Sequence, residues 1–222
     1  MKRGPQMVKG DTERQVVIRP PQFETGEFKL EGTAPLVVHR FANKAKMMEA
    51  QAAGQQARSK RTREPKDFDA TFKAACHVSE EGWYGINAAG FRLALIDACR
   101  LCGFKMTIAK CSLFVVSDGI GTDGTPLVRI DGPAPERFDA PARNDNGSID
   151  IRSRPMWRKW GVHLKLRWDS SQFSVTDVVN LLARAGEQIG ICEGRNFSKN
   201  SAGQGWGSFR IVDEKQKRGR GK

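Results

Sequence analysis

The sequence contains few of the residues from which catalytic and metal centres are built. Its 222 residues include three histidines and five cysteines, and no pair of carboxylates has the spacing of metal ligands. The phosphate-binding pattern G-x-x-x-x-G-K-[ST] and the nucleophile pattern G-x-S-x-G are also missing. The sequence therefore lacks the residue patterns for nucleotide hydrolysis, metal-dependent cleavage and serine acyl transfer. We expect neither a metal nor a cofactor.

The cysteines and the apolar segments exclude further classes. An odd number of cysteines without framework spacing is typical of reduced thiols. Cys99 and Cys102 form a single C-x-x-C inside a helical pattern, which favours buried hydrophobic residues over zinc ligands. No apolar run is long enough to span a bilayer, and residues 1–5 are basic without a following apolar segment. We therefore expect a cytoplasmic protein with no membrane partner.

Positive charge is what the sequence has in excess. Lys and Arg number 37 against 25 Asp and Glu, which gives a formal net charge of +12. No segment combines Trp or Leu with a basic face as a membrane-surface helix would, so the charge indicates a nucleic-acid partner. A hydrophobic content of 39% is enough for a core.

The length favours one domain with insertions. We predict a loose N-terminus at 1–14, a single domain at 15–212 with insertions at about 43–85 and 118–156, and a basic disordered tail at 213–222. Residues 43–66 are polar and basic, and are expected to be helical in part or disordered. Residues 131–155 contain four prolines and the turn sequence N-D-N-G, and are expected to be irregular.

Two helices are predicted from caps and apolar periodicity. Asn87 can cap a helix whose apolar residues recur every three or four positions, and Gly103 can end it. Ser174, with Asp177 three residues later, forms a near capping box for a second helix that runs to Gly186.

Strands are predicted at 28–32 with 35–39, at 106–116, 127–130, 161–168 and 209–212. Apolar and polar residues alternate strictly along the segment 161–168. Its apolar residues therefore face one side of the strand: Val162, Leu164, Leu166 and Trp168. The other side carries three cations: His163, Lys165 and Arg167.

Without the insertions, the order of elements is βαββαβ. This order predicts an α+β, ferredoxin-like (RRM-like) fold in which an antiparallel sheet carries both helices on one face. The strands around 28–36 and 161–168 should be central, and their other face should be open. Single-stranded RNA lies on that face in many proteins of this fold, so His163, Lys165 and Arg167 are candidate contacts. The alternative is a merely solvated face.

A glycine-rich stretch between the last helix and the last strand is the most distinctive feature. Glycine accepts positive φ and lets N–H groups converge on an anion, so the stretch suits phosphate contact or, alternatively, a flexible connection. Arg195, Lys199 and Trp206 lie within it. Glu193 would repel a phosphate unless it is paired with Arg195.

With its glycine-rich loop at 186–209 and this order of elements, the sequence resembles the CRISPR-associated RAMP superfamily over roughly residues 28–212. The basic single fold with two large insertions looks most like the backbone subunits that polymerise along guide RNA. The resemblance also extends to small proteins of phage and prophage genomes. It implies sequence-independent binding of single-stranded nucleic acid, expected to be RNA, by a homo-oligomer or a multi-subunit ribonucleoprotein with a role in antiviral defence.

In that interpretation basic side chains follow the phosphates, the loop admits the backbone, and an insertion wedges between bases. The candidate phosphate contacts are Lys44, Lys46, Arg58, Lys60, Arg61, Arg63, Arg195 and Lys199.

The segment 152–160 mixes basic and aromatic residues, a composition that can stack on bases and neutralise phosphates together. The alternative is that its tryptophans are buried, more so for Trp157 than for Trp160. The candidates here are Arg152, Arg154, Arg158, Lys159 and Trp160.

Three other functions fit the sequence. A guide-processing, metal-independent endoribonuclease would need a histidine, and His39 at the end of the first strand region is the candidate. A phage protein that coats or anneals single-stranded DNA would use the same contacts. A virion structural protein would use the basic segments on packaged DNA.

Overall fold

The fold is built from ten strands and four α-helices within the residues that the computed structural model describes, which are 20–40, 67–143, 149–197 and 203–212. In chain order these elements are β1 (Phe23–Gly32), β2 (Leu36–Val37), α1 (Phe68–Ala75), β3 (Gly85–Asn87), α2 (Ala88–Leu101), α3 (Met106–Ser112), β4 (Leu113–Val116), β5 (Gly119–Ile120), β6 (Pro126–Arg129), β7 (Glu136–Arg143), β8 (Ile149–Trp157), β9 (Gly161–Asp169), α4 (Val175–Arg184), a π-helical turn (Ala185–Ile189) and β10 (Phe209–Ile211).

The largest sheet has four antiparallel strands in the order β10-β1-β9-β4. β1 and β9 are central, as predicted, and pair from Phe23 opposite Asp169 to Glu31 opposite Gly161. Residues 35–39, which the sequence grouped with β1, instead supply β2 of a second sheet, ordered β2-β8-β7. A third sheet has the order β3-β6-β5, so the fold is α+β with three antiparallel sheets.

Both predicted helices form with the predicted caps. The Asn87 side chain accepts a hydrogen bond from the Ala89 N–H at the start of α2. Ser174 and Asp177 make the reciprocal bonds of a capping box at the start of α4. Gly103, with φ of 71°, follows the end of α2. A left-handed residue at this position lets backbone N–H groups donate to the free carbonyls of the last turn.

α2 and α4 pack against one face of the four-stranded sheet. Phe91 of α2 meets Phe209 of β10 edge to face, with ring centroids 5.9 Å apart. Phe91, Val178, Leu164 and Phe209 belong to one buried cluster. The apolar stripes of both helices and the apolar side of β9 therefore share one core.

The second helix ends differently from the prediction. The α-helical hydrogen bonding of α4 ends at Arg184, and the π-helical turn that follows it contains Gly186. A Cβ on Gly186 would lie 2.0 Å from the Phe209 carbonyl oxygen. Glycine is needed here because the backbone of β10 approaches the turn more closely than any side chain permits.

The strand predicted at 106–116 is wrong in its first part, which forms α3 and leads directly into β4. Met106, Ala109 and Lys110 are good helix formers, and Ala109 and Ser112 turn inward. A short apolar segment does not distinguish a buried helix from a strand, so its composition was misleading.

Residues 131–155 are also not irregular, because most of them form the antiparallel hairpin β7–β8, paired from Glu136 opposite Met156 to Arg143 opposite Ile149. Pro141 lies on β7, an edge strand, where a missing N–H costs no ladder bond on the outer side. Pro155 takes part through its carbonyl, which accepts from the Val38 N–H at 3.1 Å. The turn sequence at 144–147 lies outside the described residues.

No helix in the described ranges is long and apolar enough to cross a membrane.

Candidate nucleic-acid interface

The register of β1 and β9 decides which side chains share each face of the four-stranded sheet. Directly opposed residues point to the same side, so Leu30, opposite Val162, and Phe28, opposite Leu164, face α2 and α4. We call the other side the open face, which consists of Phe23, Thr25, Glu27, Lys29, Glu31, Phe114, Val116, His163, Lys165, Arg167, Asp169 and Arg210.

The three cations predicted from the alternation of β9 lie on this face, but two of them lie beside carboxylates. The Glu27 carboxylate lies 3.0 Å from His163 Nδ1. Lys165 Nζ lies 3.2 Å from Asp118 Oδ1. Neighbouring elements supply these carboxylates, and a single strand's sequence does not reveal its neighbours.

Arg167 is placed differently, because it lies over aromatic rings. Its guanidinium carbon is 4.7 Å from the ring centroid of Phe23 and 5.2 Å from that of Phe114. The two rings meet edge to face at 5.7 Å. Arg167 is exposed and 42% of Phe23 remains accessible. We call Phe23, Phe114 and Arg167 the stacking platform.

The sequence interpretation missed both phenylalanines of this platform. Phe23 comes before the alternating segment that was recognised, and Phe114 comes from a segment whose strand begins only at Leu113. The available signal was an aromatic residue in each strand at one of the alternate positions whose side chains point to the open face. Using that signal required the register, which the sequence did not provide.

The segment 152–160 does not form the predicted stacking surface. Trp160 is 4% exposed, and its Nε1 donates to the Ala34 carbonyl at 2.8 Å. Trp157 and Arg154 are also buried. The predictions for Trp160 and Arg154 as nucleic-acid contacts are therefore wrong, because β8 and the turn after it pack into the core.

The other cations of this segment remain nearer to solvent. Arg158 is exposed and its Nε lies 2.9 Å from Glu136 Oε2. Lys159 is exposed and Arg152 is half-buried. They lie on the second sheet and its following turn, apart from the stacking platform.

The glycine-rich loop joins the two larger sheets. Three of its N–H groups donate hydrogen bonds to backbone carbonyls: Ile191 to Gly207, Glu193 to Val37, and Gly207 to Pro35. Five glycines in the described part of the loop have positive φ, which its winding path requires: Gly190, Gly194, Gly203, Gly205 and Gly207. The loop backbone is thus engaged with β2 and with itself, and these three N–H groups are not directed at an anion.

Arg195 and Trp206, two loop candidates, have structural contacts. Arg195 donates from Nε to the Phe197 carbonyl and from Nη1 to the Cys192 carbonyl. The Trp206 ring meets Phe138 edge to face at 5.5 Å. Both side chains stabilise the loop in this arrangement.

Glu193 pairs with Arg154 and His39 rather than with Arg195. Its Oε2 lies 2.9 Å from Nη1 of the buried Arg154, and its Oε1 lies 3.3 Å from His39 Nδ1. Burial tends to raise the pKa of Glu193, but the His39 hydrogen bond and the charge of Arg154 outweigh burial and lower that pKa below its ordinary value. His39 is therefore placed beside a carboxylate under the loop.

The remaining candidates lie outside the described residues. They are Lys44, Lys46, Arg58, Lys60, Arg61, Arg63 and Lys199. The described residues carry 19 Lys and Arg against 18 Asp and Glu, so 11 of the 12 net positive charges belong to the other segments. The charge that indicated a polyanionic partner is concentrated at 1–19, 41–66 and 213–222.

Across the ranges that the structure covers, no three His, Cys, Asp or Glu side chains lie together as metal ligands would. Cys99 is buried, whereas Cys102 is exposed.

No protein-family model matches the sequence, and no curated protein resembles it significantly.

Proposed function

We propose that this protein binds single-stranded nucleic acid, with RNA as the expected substrate, across the open face of its four-stranded sheet. The observation that carries the proposal is the stacking platform. Two aromatic rings and the Arg167 guanidinium group meet there on the open face, and the Arg92 guanidinium group of α2 lies 5.4 Å from the Phe114 centroid. Planar groups of this kind stack on bases of any sequence.

The fold supports this proposal. Omitting the added elements, β1, α2, β4, β9, α4 and β10 follow one another as βαββαβ, and the sheet order places the fourth strand beside the first and the third beside the second. We assign this arrangement to the ferredoxin-like class. Proteins that use such a sheet for RNA stack two or three bases on aromatic residues of the exposed face.

Phosphate contacts are proposed to come mainly from outside the described residues. The described part of the chain is nearly neutral, and its open-face carboxylates offset most of the nearby cations. The segment 41–66 carries seven Lys and Arg against two Glu. In this division of roles, the platform holds bases while Lys60, Arg61 and Arg63 of that segment bind the backbone.

The resemblance to RAMP backbone subunits extends the proposal to assembly. Subunits that hold a strand by stacking and phosphate contacts can bind side by side along it, without recognising its sequence. We therefore propose that several copies coat one strand as part of a ribonucleoprotein.

The test is binding of labelled single-stranded RNA and DNA to the full chain, by fluorescence anisotropy at low salt. Phe23→Ala or Arg167→Ala should weaken binding about tenfold or more, because stacking contributes about 1–3 kcal/mol per base. RNA should bind more tightly than DNA of the same sequence.

Matched controls lie on α2, on the opposite side of the sheet. Arg100→Ala removes the same charge from a residue paired with Asp97, and Leu93→Ala removes an apolar group that is 55% exposed. Both should bind like the wild type. Equal affinity of the wild type and the platform variants would contradict the proposal, and tighter binding of DNA would favour the phage-type alternative.

A further inference from the structure

A second surface feature lies where the open face meets the small sheet β3-β6-β5. It is a cleft of about 230 Å³ lined by Glu81, Trp83, Asp118, Arg129, Asp131 and His163. A bridge between Asp131 and Gly161 joins the two sheets at this point. Because His163 of the open face lines it, the cleft borders the same face as the stacking platform.

Trp83 forms an aromatic wall of the cleft. Its ring lies against two glycines of the small sheet: a Cβ on Gly119 would be 2.8 Å from Cζ2 of the ring, and one on Gly85 would be 3.0 Å from Cζ3. Its Nε1 donates to Glu81 Oε2 at 3.1 Å. The ring is held in place by these contacts while it still lines the cleft.

The three carboxylates of the cleft differ in the hydrogen bonds that they already accept. Asp118 accepts from Lys165 on one oxygen and from the Arg129 N–H on the other. Glu81 accepts from Trp83. Asp131 is about half exposed, and its described cation partner, His163 Nε2, lies 3.7 Å away, which is longer than a hydrogen bond. Asp131 is thus the carboxylate best able to accept from a ligand.

We propose that this cleft holds one base of the bound strand and prefers guanine. This inference rests on the proposed function. Guanine alone among the common bases presents two adjacent N–H donors, N1–H and the N2 amino group, on its Watson–Crick edge, and a carboxylate accepts both at once. Trp83 supplies the stacking surface, and Arg129 at the rim supplies a cation for the phosphate.

The spacing suits a single strand that contacts both features. His163 and Arg167 are four residues apart on β9, about 13 Å along the strand at ~3.3 Å per residue. A few extended nucleotides cover this distance. Binding on the platform is then indifferent to sequence, whereas the cleft selects one base.

The experiment compares an oligouridine with the same oligomer carrying one central guanosine, adenosine or cytidine. The guanosine oligomer should bind the wild type about tenfold more tightly than the others, the discrimination expected of one bidentate base contact. Asp131→Asn should abolish that difference, although the variant still binds oligouridine. Glu187→Gln, a matched loss of charge on the π-helical turn, should preserve the preference.

A second measurement separates this proposal from the proposed function. Titration of the full chain with GMP, AMP, CMP and UMP by calorimetry does not depend on strand binding. GMP should bind most tightly, and Trp83→Ala and Asp131→Asn should weaken GMP binding at least tenfold. Equal binding or no binding of the four nucleotides would overturn the cleft proposal, even if strands bind the platform.

Discussion

At the scale of single residues, the pair of Glu193 and Arg154 determines how the glycine-rich loop is held. Arg154 is almost entirely buried, and Glu193 brings the compensating charge from the loop. Removing one partner of a buried pair leaves an uncompensated charge, which costs more than the pair itself contributes. The pair therefore attaches the loop to β8 from beneath.

Glu193→Gln should lower the free energy of unfolding at pH 7 by about 2 kcal/mol, less than for a fully buried pair because a quarter of the Glu193 side chain is exposed. Urea denaturation followed by circular dichroism measures the change. Glu136→Gln, which removes the partner of the exposed Arg158, is the control and should cost under about 0.5 kcal/mol. Equal losses in both variants would contradict the structural role of Glu193.

The stability difference should also depend on pH. The pKa of Glu193 in the folded protein lies below its ordinary value of 4.5, so the pair stabilises the fold above that value. This contribution is lost as the pH falls through the folded-state pKa. The wild type and Glu193→Gln should therefore converge in stability as the pH falls below 4.5, and a difference that stays constant over that range would argue against the pair.

At the scale of elements, two glycines in helical segments have opposite roles. Gly186→Ala forces a Cβ into the Phe209 carbonyl and should cost about 3 kcal/mol, the upper range for overpacking. Gly90, inside α2, has open space around its Cβ position, so Gly90→Ala should gain about 0.5 kcal/mol. Thermal unfolding should show a melting temperature several degrees lower for the first and slightly higher for the second. A neutral Gly186→Ala would mean that β10 can move away from the turn.

Local signals account for the elements that the sequence predicted. Asn87 and Ser174 set the starts of α2 and α4, and the alternation at 161–168 identified β9. The hairpin β7–β8 was missed because its stability comes from pairing across the turn, which outweighs the prolines. The burial of Trp160 and the ion pairs of the open face depend on neighbours distant in sequence, so composition did not reveal them.

At the scale of the whole molecule, the charge and the fold are separated along the chain. Nearly all of the net positive charge lies outside the described residues, whereas the stacking platform lies within them. Affinity for a strand should therefore consist of a salt-dependent part from the basic segments and a part from stacking that depends little on salt.

Neutralising Lys60, Arg61 and Arg63 together to Gln should weaken strand binding at low salt and reduce the slope of log affinity against log salt by about 2, since each single-strand phosphate contact contributes about 0.7. Anisotropy titrations at several salt concentrations measure this slope. The same change at Lys73, Lys105 and Lys110, on or beside α1 and α3, should leave the slope unaltered. An unchanged slope in the first variant would show that its cations do not contact the strand.

The pairing of β1 with β9 and β10 also sets the order in which this chain can fold. Glu31 of β1 and Arg210 of β10, which form an ion pair, are 179 residues apart in sequence. A sheet closed by such distant contacts forms slowly, because the intervening chain loses entropy before the contacts are made. During synthesis β1 leaves the ribosome long before either partner strand exists. Its apolar side must therefore stay unpaired until β9 and then β10 have been made, which is the interval in which misfolding and aggregation are most favoured.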